Sequence, residues 1–372
     1  MKIEIRHRCA DFDSYRAARV KSLFNVDSGA NFNLDAELAI DDVDWKIGVV
    51  VGPSGSGKTS IGARLSTPYA PEWPHDKPIV EAILPDGDFN AVTSALSAVG
   101  LGSVPTWLRP YPALSNGERF RAQLARLVCE APAFAVVDEF SSVVDRQIAR
   151  IGAGAFARAW RRTGGQAVLL SCHYDILDWL QPDWVFDTAT GSFDRGRLRC
   201  RPRLAMQIRQ TDWRYWPLFE PHHYLKLPVM IAAVNYVATI DDALVAHVAV
   251  STRPGMMEAR ACRLVVMPEW QGAGVGMRFL NAVCEFWRQG RNRYDKPIPT
   301  LFHTSHPGLC MALRRDRHWM QVSGTLYGSN KRRSRESINH SAAKKGEVRP
   351  GHTGYGGHFR AVQGFRYLGE SA

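Results

Sequence analysis

The sequence predicts an α/β domain built on a glycine-rich loop, followed by an α+β domain that carries a basic C-terminal segment. Three observations lead there. The apolar run Ile47-Gly48-Val49-Val50-Val51 passes straight into Gly52-Pro53-Ser54-Gly55-Ser56-Gly57-Lys58-Thr59, the pattern of a buried strand ending in a loop. Two more buried-type runs, Phe134 to Val137 and Ala167 to Ser171, are separated by a segment of helical period, as parallel sheets require. From Ile231 onward, β-type runs succeed one another through short polar turns, as antiparallel strands do.

At 372 residues, 45% hydrophobic and 10% aromatic, the chain is long enough for two cores. Its longest apolar run, Leu227 to Ile240, has 14 residues and includes Asn235 and Tyr236, whereas a helical span of a bilayer needs about 20. Met1-Lys2-Ile3-Glu4-Ile5-Arg6 lacks the apolar stretch of a signal peptide, so a cytoplasmic protein is expected. Seven cysteines (Cys9, Cys129, Cys172, Cys200, Cys262, Cys284, Cys310) form no C-x-x-C pair. That points to reduced thiols rather than a disulfide framework or a zinc ribbon. Charge is split unevenly: residues 1–187 carry 19 Lys and Arg against 23 Asp and Glu, net −4, and residues 188–372 carry 28 against 13, net +15. A basic half suits a polyanionic partner, nucleic acid first, or serves only as a solvated surface.

Taken in order, Lys2 to Arg6 and Asn31 to Leu38 alternate in the manner of strands. The glycines of Gly52, Pro53, Ser54, Gly55, Ser56 and Gly57 let successive N–H groups curl around one anion. Lys58 reaches the outer phosphates, the Thr59 hydroxyl is placed to ligate Mg²⁺ with Ser60 beside it, and the following helix adds its N-terminus. A plain glycine turn is the other reading. That helix must stop by Thr67, because Pro68 disfavours a helical residue before it, and the proline-rich stretch Thr67 to Pro78 reads as irregular. Leu114-Ser115-Asn116-Gly117-Glu118 opens an amphipathic helix through Arg126, so Ser115 and the Gly117 amide sit at a helix N-terminus, as an anion site or a simple cap. Phe134 to Glu139 is a buried strand ending in two carboxylates. An aspartate there (Asp138) holds Mg²⁺ through water beside Thr59, and an adjacent glutamate (Glu139) polarises an attacking water. Asp145 precedes a helix with apolar residues at Ile148, Ile151, Ala155 and Ala159, closed by Arg161 to Gly165. The strand Ala167 to Ser171 then delivers His173 to the sheet edge where open parallel sheets bind ligands.

In this order the motifs resemble the ABC-type ATPase family across residues 1–187. Gly52 to Thr59 is similar to its Walker A loop, Asp138-Glu139 to its Walker B and catalytic pair, Asp145 to its D-loop and His173 to its switch histidine. Leu114 to Glu118 is similar to its signature loop, with L-S-N-G-E in place of the commoner L-S-G-G-Q. The resemblance implies ATP and Mg²⁺ as cofactors, Thr59 and Asp138 as the metal-holding pair, and Glu139 and His173 as catalytic residues. It also implies a homodimer, or a dimer with a related subunit, in which each signature loop closes on ATP held by the other chain. Two departures argue against a membrane permease as partner. Lys58 and Ser115 are 57 positions apart, little room for the helical subdomain that grips one. No Gln occurs between Lys58 and Gln123, although Glu81 or Asp86 offers a substitute for the usual coupling glutamine.

Residues 188–203 read as a basic linker in which Arg195, Arg197, Arg199, Arg201 and Arg203 fall at a spacing of two. On a strand this puts five guanidinium groups on one face, tracking phosphates or protecting an edge. Trp213 to Pro217 and Pro221-His222-His223-Tyr224-Leu225 are dense in groups that stack on bases or bind metals, though neighbouring histidines on a strand face opposite ways. Ile231 to Ile240 and Ala243 to Thr252 flank Asp241-Asp242 as in a hairpin. Arg260 to Met267 is a strand, followed by Pro268-Glu269-Trp270-Gln271-Gly272-Ala273-Gly274-Val275-Gly276 and a helix through Arg288. Here again a glycine turn exposes amides at a helix start.

This second part, residues 204–327, resembles the GNAT acyltransferase superfamily, whose Q/R-x-x-G-x-G/A loop binds the pyrophosphate of coenzyme A. Gln271, Gly274 and Gly276 match it. The resemblance implies acetyl-CoA or another acyl-CoA held by Val266, Met267, Gln271, Gly272, Ala273, Gly274, Val275 and Gly276. Candidate transfer groups are His222, His223, Tyr224, His303, Ser305 and His306, with Tyr327 as the candidate acid. His303 and His306 serve as bases near neutral pH or as caps and core residues. The whole chain is similar to ABC-type ATPases fused to an acetyltransferase-type domain, and the His-His-Tyr and Ser-His-Pro stretches are similar to phage DNA-modification proteins of the Mom type. Residues 328–372 are expected to be a basic, partly flexible tail, with His358 to Tyr367 as a closing strand or a nucleic-acid surface. The functional expectation is an ATP-hydrolysing dimer coupled to GNAT-like acyl-group transfer onto a nucleic acid, a DNA base or tRNA. The alternative is the ABC ATPase of a transporter or of a DNA-repair-like clamp whose second domain only binds.

Overall fold

The computed structural model describes residues 1–8, 10–24, 31–41, 44–195, 202–224, 230, 232–252, 258–325 and 361–369. They form two compact units that do not follow chain order: residues 1–73 with 130–202, and residues 74–129 with 203–372.

In the first unit β1 (Lys2–Arg8) and β2 (Asn31–Glu37) pair antiparallel. Ile3, Ile5 and Ala36 turn inward, as the alternation predicts. β3 (Ile47–Val51) is buried along its whole length. It lies between β5 (Gln166–Ser171) and β6 (Trp184–Asp187), with β4 (Phe134–Val137) beyond β5 and β7 (Ser192–Arg195) beyond β6. All neighbours are parallel except β7, which runs antiparallel to β6. Parallel strands buried on both faces need crossover helices, and Arg146–Trp160 is the one between β4 and β5. The core joins Ile3, Ile5 and Leu38 to Val50, Val136, Val168 and Trp184, so the hairpin and the sheet share one apolar interior. The helix after β3, Lys58–Leu65, ends before Pro68, as expected.

The second unit is a seven-stranded sheet made of β8 (Gln207–Thr211), β9 (Val234–Ile240), β10 (Ala243–Thr252), β11 (Ala259–Val266), β12 (Thr300–Thr304), β13 (Trp319–Thr325) and β14 (Val362–Tyr367). Their spatial order is β13-β14-β12-β11-β10-β9-β8. Among the described strands of this sheet only the pair β11–β12 is parallel, and its register covers only Ala259 to Ala261 against Thr300 to Phe302. The helix Val275–Arg288 makes the crossover between them. β11 bulges against β10 where Arg263 takes a left-handed backbone, φ 54°.

Two expectations require correction. The division at residue 187 does not hold as a division in space, because residues 74–129 fold with the second unit. The physical reason is apolar surface. The helix Phe89–Ala98 buries Val92, Ala95 and Leu96 and packs on the helix Pro307–Arg315. Nor is 188–203 a bare linker: β7 completes the first sheet, and Arg195 Nη1 donates to the Ala39 carbonyl at 2.7 Å. Arg203 lies outside any strand. Arg197, Arg199, Arg201, Tyr327, the segment 328–357 and His358 to Arg360 lie outside the described residues. Val362–Tyr367 is the expected closing strand, paired with both β12 and β13.

Candidate functional site

The end of β3 fixes the first loop. The Gly52 N–H donates to the Ser171 carbonyl at 3.3 Å, and its backbone sits at φ 151°, where an added Cβ would lie 2.0 Å from Thr188 Oγ1. Only glycine fits that turn. Thr188, just past β6, is also within 2.5 Å of Ser56 Oγ and donates to the Val51 carbonyl, so the loop is fastened from two neighbouring strands. Gly57 is left-handed and caps the helix Lys58–Leu65, leaving the first N–H groups of that helix facing outward for an anion. Lys58 Nζ donates to the carbonyls of Gly52 and Pro53 at 2.9 and 2.6 Å.

These residues border a cavity of about 370 Å³ whose wall includes Ser54, Gly55, Gly57, Lys58, Thr59, Ser60, Asp138 and Glu139. Nothing lies within 4 Å of where a Cβ on Gly55 would stand, so the cradle is open. The donor set fits a magnesium nucleotide: loop amides and an ammonium for phosphate, a hydroxyl and a carboxylate for the cation. Asp138 Oδ1 accepts from the Glu139 N–H at 2.8 Å. Glu139 takes a left-handed backbone, φ 49°, which costs a non-glycine residue about 1 kcal/mol and leaves its carboxylate exposed at the cavity wall.

Ser171 positions both catalytic candidates. Its Oγ donates to the Phe140 carbonyl at 3.0 Å and accepts from the His173 N–H at 3.1 Å, tying the turn after β4 to the turn after β5. His173 is half-buried. Burial lowers its pKa first and the charge of Arg146 adds to that, while Asp175 opposes both, so the ring is neutral at pH 7. Asp145 caps the helix Arg146–Trp160, accepting from the N–H groups of Gln147 and Ile148. The structure therefore brings Ser54, Gly55, Gly57, Lys58, Thr59, Ser60, Asp138 and Glu139 to one cavity, with Gly52 and Ser56 anchoring the loop beside it and His173 tied to the Glu139 turn.

Leu114 to Glu118 belongs to the second unit. Ser115 N–H donates to Glu118 Oε2 at 2.9 Å and Glu118 N–H points at Ser115 Oγ at 3.4 Å, the reciprocal arrangement of a capping box at the start of the helix Asn116–Glu130. Thr106 Oγ1 adds a third contact to Glu118 at 2.9 Å. Burial pushes the Glu118 pKa up, but these hydrogen bonds outweigh it and hold the carboxyl below its ordinary value. Glu118, standing where the commoner motif has Gln, thus secures the helix start.

At the second glycine turn, Gly274 is left-handed, φ 81°, and caps the helix Val275–Arg288. The Gln271 side chain is already engaged: Nε2 donates to the Val266 carbonyl at 3.1 Å, and Oε1 accepts from the Gly102 N–H at 3.0 Å. Met267 N–H is bound to Val245. His306 uses both ring nitrogens. Nδ1 accepts from the Leu309 N–H at 3.2 Å, capping the helix Pro307–Arg315, and Nε2 donates to the Gly102 carbonyl at 2.9 Å. Burial lowers its pKa, and a ring so committed is a cap in this arrangement rather than a base. Ser305 Oγ donates to the Ala361 carbonyl, and His303 sits on β12 opposite Gly364. His222 ends a single 3-10 turn and is exposed while His223 is buried, so their separation comes from a turn and not from a strand. Rings of Trp216, His223, Tyr224, His306 and Trp107 follow one another at centroid spacings of 5.1–6.4 Å.

No family model matches the chain, and no curated protein sequence does. Among solved structures it is similar to ABC-type proteins. The ATP-binding protein of a cobalt transporter shares 18% identity over 50% of this chain and 80% of its own, with a TM-score of 0.35. A metal-chelate-type ABC transporter in an inward-facing conformation shares 17% over 57% and 94%, TM-score 0.35. An ATP-bound bacterial Atm1-family exporter shares 16% over 43%, TM-score 0.30, and only 34% of its own length is spanned. At these scores the site geometry, not the likeness, carries the functional argument. Among the described residues no helix is long and apolar enough to cross a membrane, and no cluster of His, Cys, Asp or Glu is disposed to hold a metal.

Several residues of these sites leave no local trace in the sequence. His7 on β1 lines the cavity, with Nε2 at 2.8 Å from Ser60 Oγ. Cys172 lines it too, and Ser171, Thr188 and Gly102 act through hydrogen-bond partners 31 to 169 positions away. His247, fully buried on β10, is surrounded by Trp213, Trp216 and Phe219. It faces the Arg263 carbonyl and Asn235 Oδ1 at 3.3 and 3.2 Å. Burial drives its pKa down to about 4. Alternation in Ala243 to Thr252 marks such a position as inward-facing, but not its neighbours.

Proposed function

We propose that the chain is an ABC-type ATPase that binds Mg²⁺–ATP in the first-unit cavity and hydrolyses it as a head-to-tail dimer. The convergence of the loop amides, Lys58, Thr59, Asp138 and Glu139 on one cavity carries this reading. The helix N-terminus and Lys58 hold the phosphates, Thr59 and water on Asp138 hold the cation, and Glu139 orients the attacking water. Leu114 to Glu118 closes on the nucleotide of the partner protomer. The test is Mg²⁺-dependent phosphate release, with Glu139→Gln binding ATP, failing to turn it over and accumulating as a dimer on size exclusion. A monomer at saturating ATP in that variant refutes the dimer.

A second reading, acyl-group transfer from an acyl-CoA to a nucleic acid, is favoured by one arrangement. The parallel strands β11 and β12 share register only at one end, and the glycine turn beyond the unpaired end opens a 14-residue helix. The first amides of that helix, not the Gln271 side chain, are what a pyrophosphate would meet. Radiolabelled acetyl-CoA incubated with DNA, tRNA and protein, with and without ATP, tests it; no labelled product sinks it.

A further inference from the structure

Within the second unit, the segment that carries Leu114 to Glu118 grips the glycine loop at several separate points. Gly102 supplies two of them, its N–H donating to Gln271 Oε1 and its carbonyl accepting from His306 Nε2. Gly100 supplies a third. It lies so close to the loop that an added Cβ would stand 2.3 Å from the Gln271 carbonyl oxygen, and its φ of 88° is open to few other residues. Arg121, buried on the helix Asn116–Glu130, donates from Nη1 to the Pro268 carbonyl at 2.8 Å. Its Nε and Nη2 have no hydrogen-bond acceptor among the described residues, and the charges of Glu269 and Glu118 attract the guanidinium as well. Beneath these, Ser97 meets Gly308 at a spacing that admits no Cβ, and the Ser94 hydroxyl donates to Met311 Sδ at 3.0 Å. Gln271 and His306, both candidate chemistry residues on sequence grounds, are thus occupied by one short backbone stretch that is followed, through the buried Trp107, by the capping box at Ser115.

We infer that residues 97–121 are a built-in clamp on the glycine loop 266–276 and on His306, through which nucleotide binding regulates the second unit. The inference rests on the ATP reading above and not on acyl transfer. When Leu114 to Glu118 closes on ATP, the helix Asn116–Glu130 shifts as a piece. Arg121 and Gly102 carry that shift to Pro268, Gln271 and His306. The loop conformation, and hence its competence for an anionic ligand, then follows the nucleotide state.

Amide hydrogen exchange on the full chain carrying Glu139→Gln tests it, with and without Mg²⁺–ATP. The expected result is protection at 52–59 together with a several-fold change in exchange at 97–102 and 266–276. Protection at 52–59 with unchanged exchange at 266–276 overturns the clamp while leaving the ATP reading intact. Absence of protection at 52–59 removes the ATP reading and nucleotide control with it. A nucleotide-free arm compares Gln271→Ala and His306→Ala with the parent. Both should raise exchange at 97–102 while the helix 275–288 keeps its protection, showing the unit still folded. Unaltered exchange at 97–102 in both variants overturns the clamp whatever ATP does.

Discussion

At Gly52 to Thr59 a buried strand passes its chain to a glycine turn and a helix, and the turn faces a cavity lined by two carboxylates and a lysine. At Gln271 to Gly276 the same succession of strand, glycine turn and helix occurs, yet the side chain expected to meet a ligand is bound to Val266 and Gly102. The first loop is anchored from behind at Gly52 and Ser56, and its lysine rests on carbonyls it can release. The second is held by a segment 147 to 169 positions earlier in the chain. A glycine motif therefore encodes the ability to cradle an anion, because left-handed backbone and helix-start amides are local properties. Whether the cradle stands open is decided by what the rest of the chain lays across it.

The largest effect expected is at the first loop. Glu139→Gln should lower ATP turnover by about 10²–10⁴-fold, the range for loss of a positioned general base, with little loss of ATP binding. Steady-state phosphate release and nucleotide titration check it, and turnover within a few fold of the parent breaks the proposed division of roles. The second unit should show the larger response to acid, although His173 in the first is shifted in the same direction. His247 has a pKa of about 4 in the fold against the ordinary 6.5, so the native state takes up its proton later than the unfolded chain as pH falls. Its contribution is present above pH 6.5 and is lost progressively from there toward pH 4, about 3 kcal/mol in all. Urea midpoints of the parent and His247→Asn across that window measure it, the variant showing the shallower slope.

A matched pair sharpens the contrast between the loops. Gly100→Ala meets backbone at 2.3 Å and should cost about 3 kcal/mol. Gly55→Ala meets nothing within 4 Å and should cost only the left-handed penalty, about 1 kcal/mol. Equal urea shifts for the two would mean the second loop is no more crowded than the first. The smallest effect is expected at Ser171→Ala, which removes the link between the Glu139 and His173 turns. A loss of about 1 kcal/mol in stability with a several-fold drop in turnover, and ATP affinity retained, would mark Ser171 as a positioning residue.

Much of this was legible in residue order. The strand Ile47 to Val51, the left-handed glycines, Asp138 and Glu139 at the end of β4 and the cap at Asp145 follow from periodicity and turn chemistry acting over a few residues. The hairpin at Asp241-Asp242 and the helix Val275–Arg288 do too. Three matters were decided only by tertiary structure. Residues 74–129 fold with the later sheet, because the apolar face of Phe89–Ala98 finds its cover on Pro307–Arg315 and nothing in its own pattern says where that cover lies. Gln271 and His306 are engaged by Gly102, since a backbone N–H and carbonyl bind whatever comes within reach regardless of residue type. Ser171 and Thr188 meet the first loop through backbone groups in the same way, and His7 reaches Ser60 by its side chain from a strand more than 50 positions away. The sequence alone specified two glycine turns, each opening a helix; long-range packing determined that one borders a cavity with two carboxylates and that the side chain of Gln271 in the other is held by Gly102.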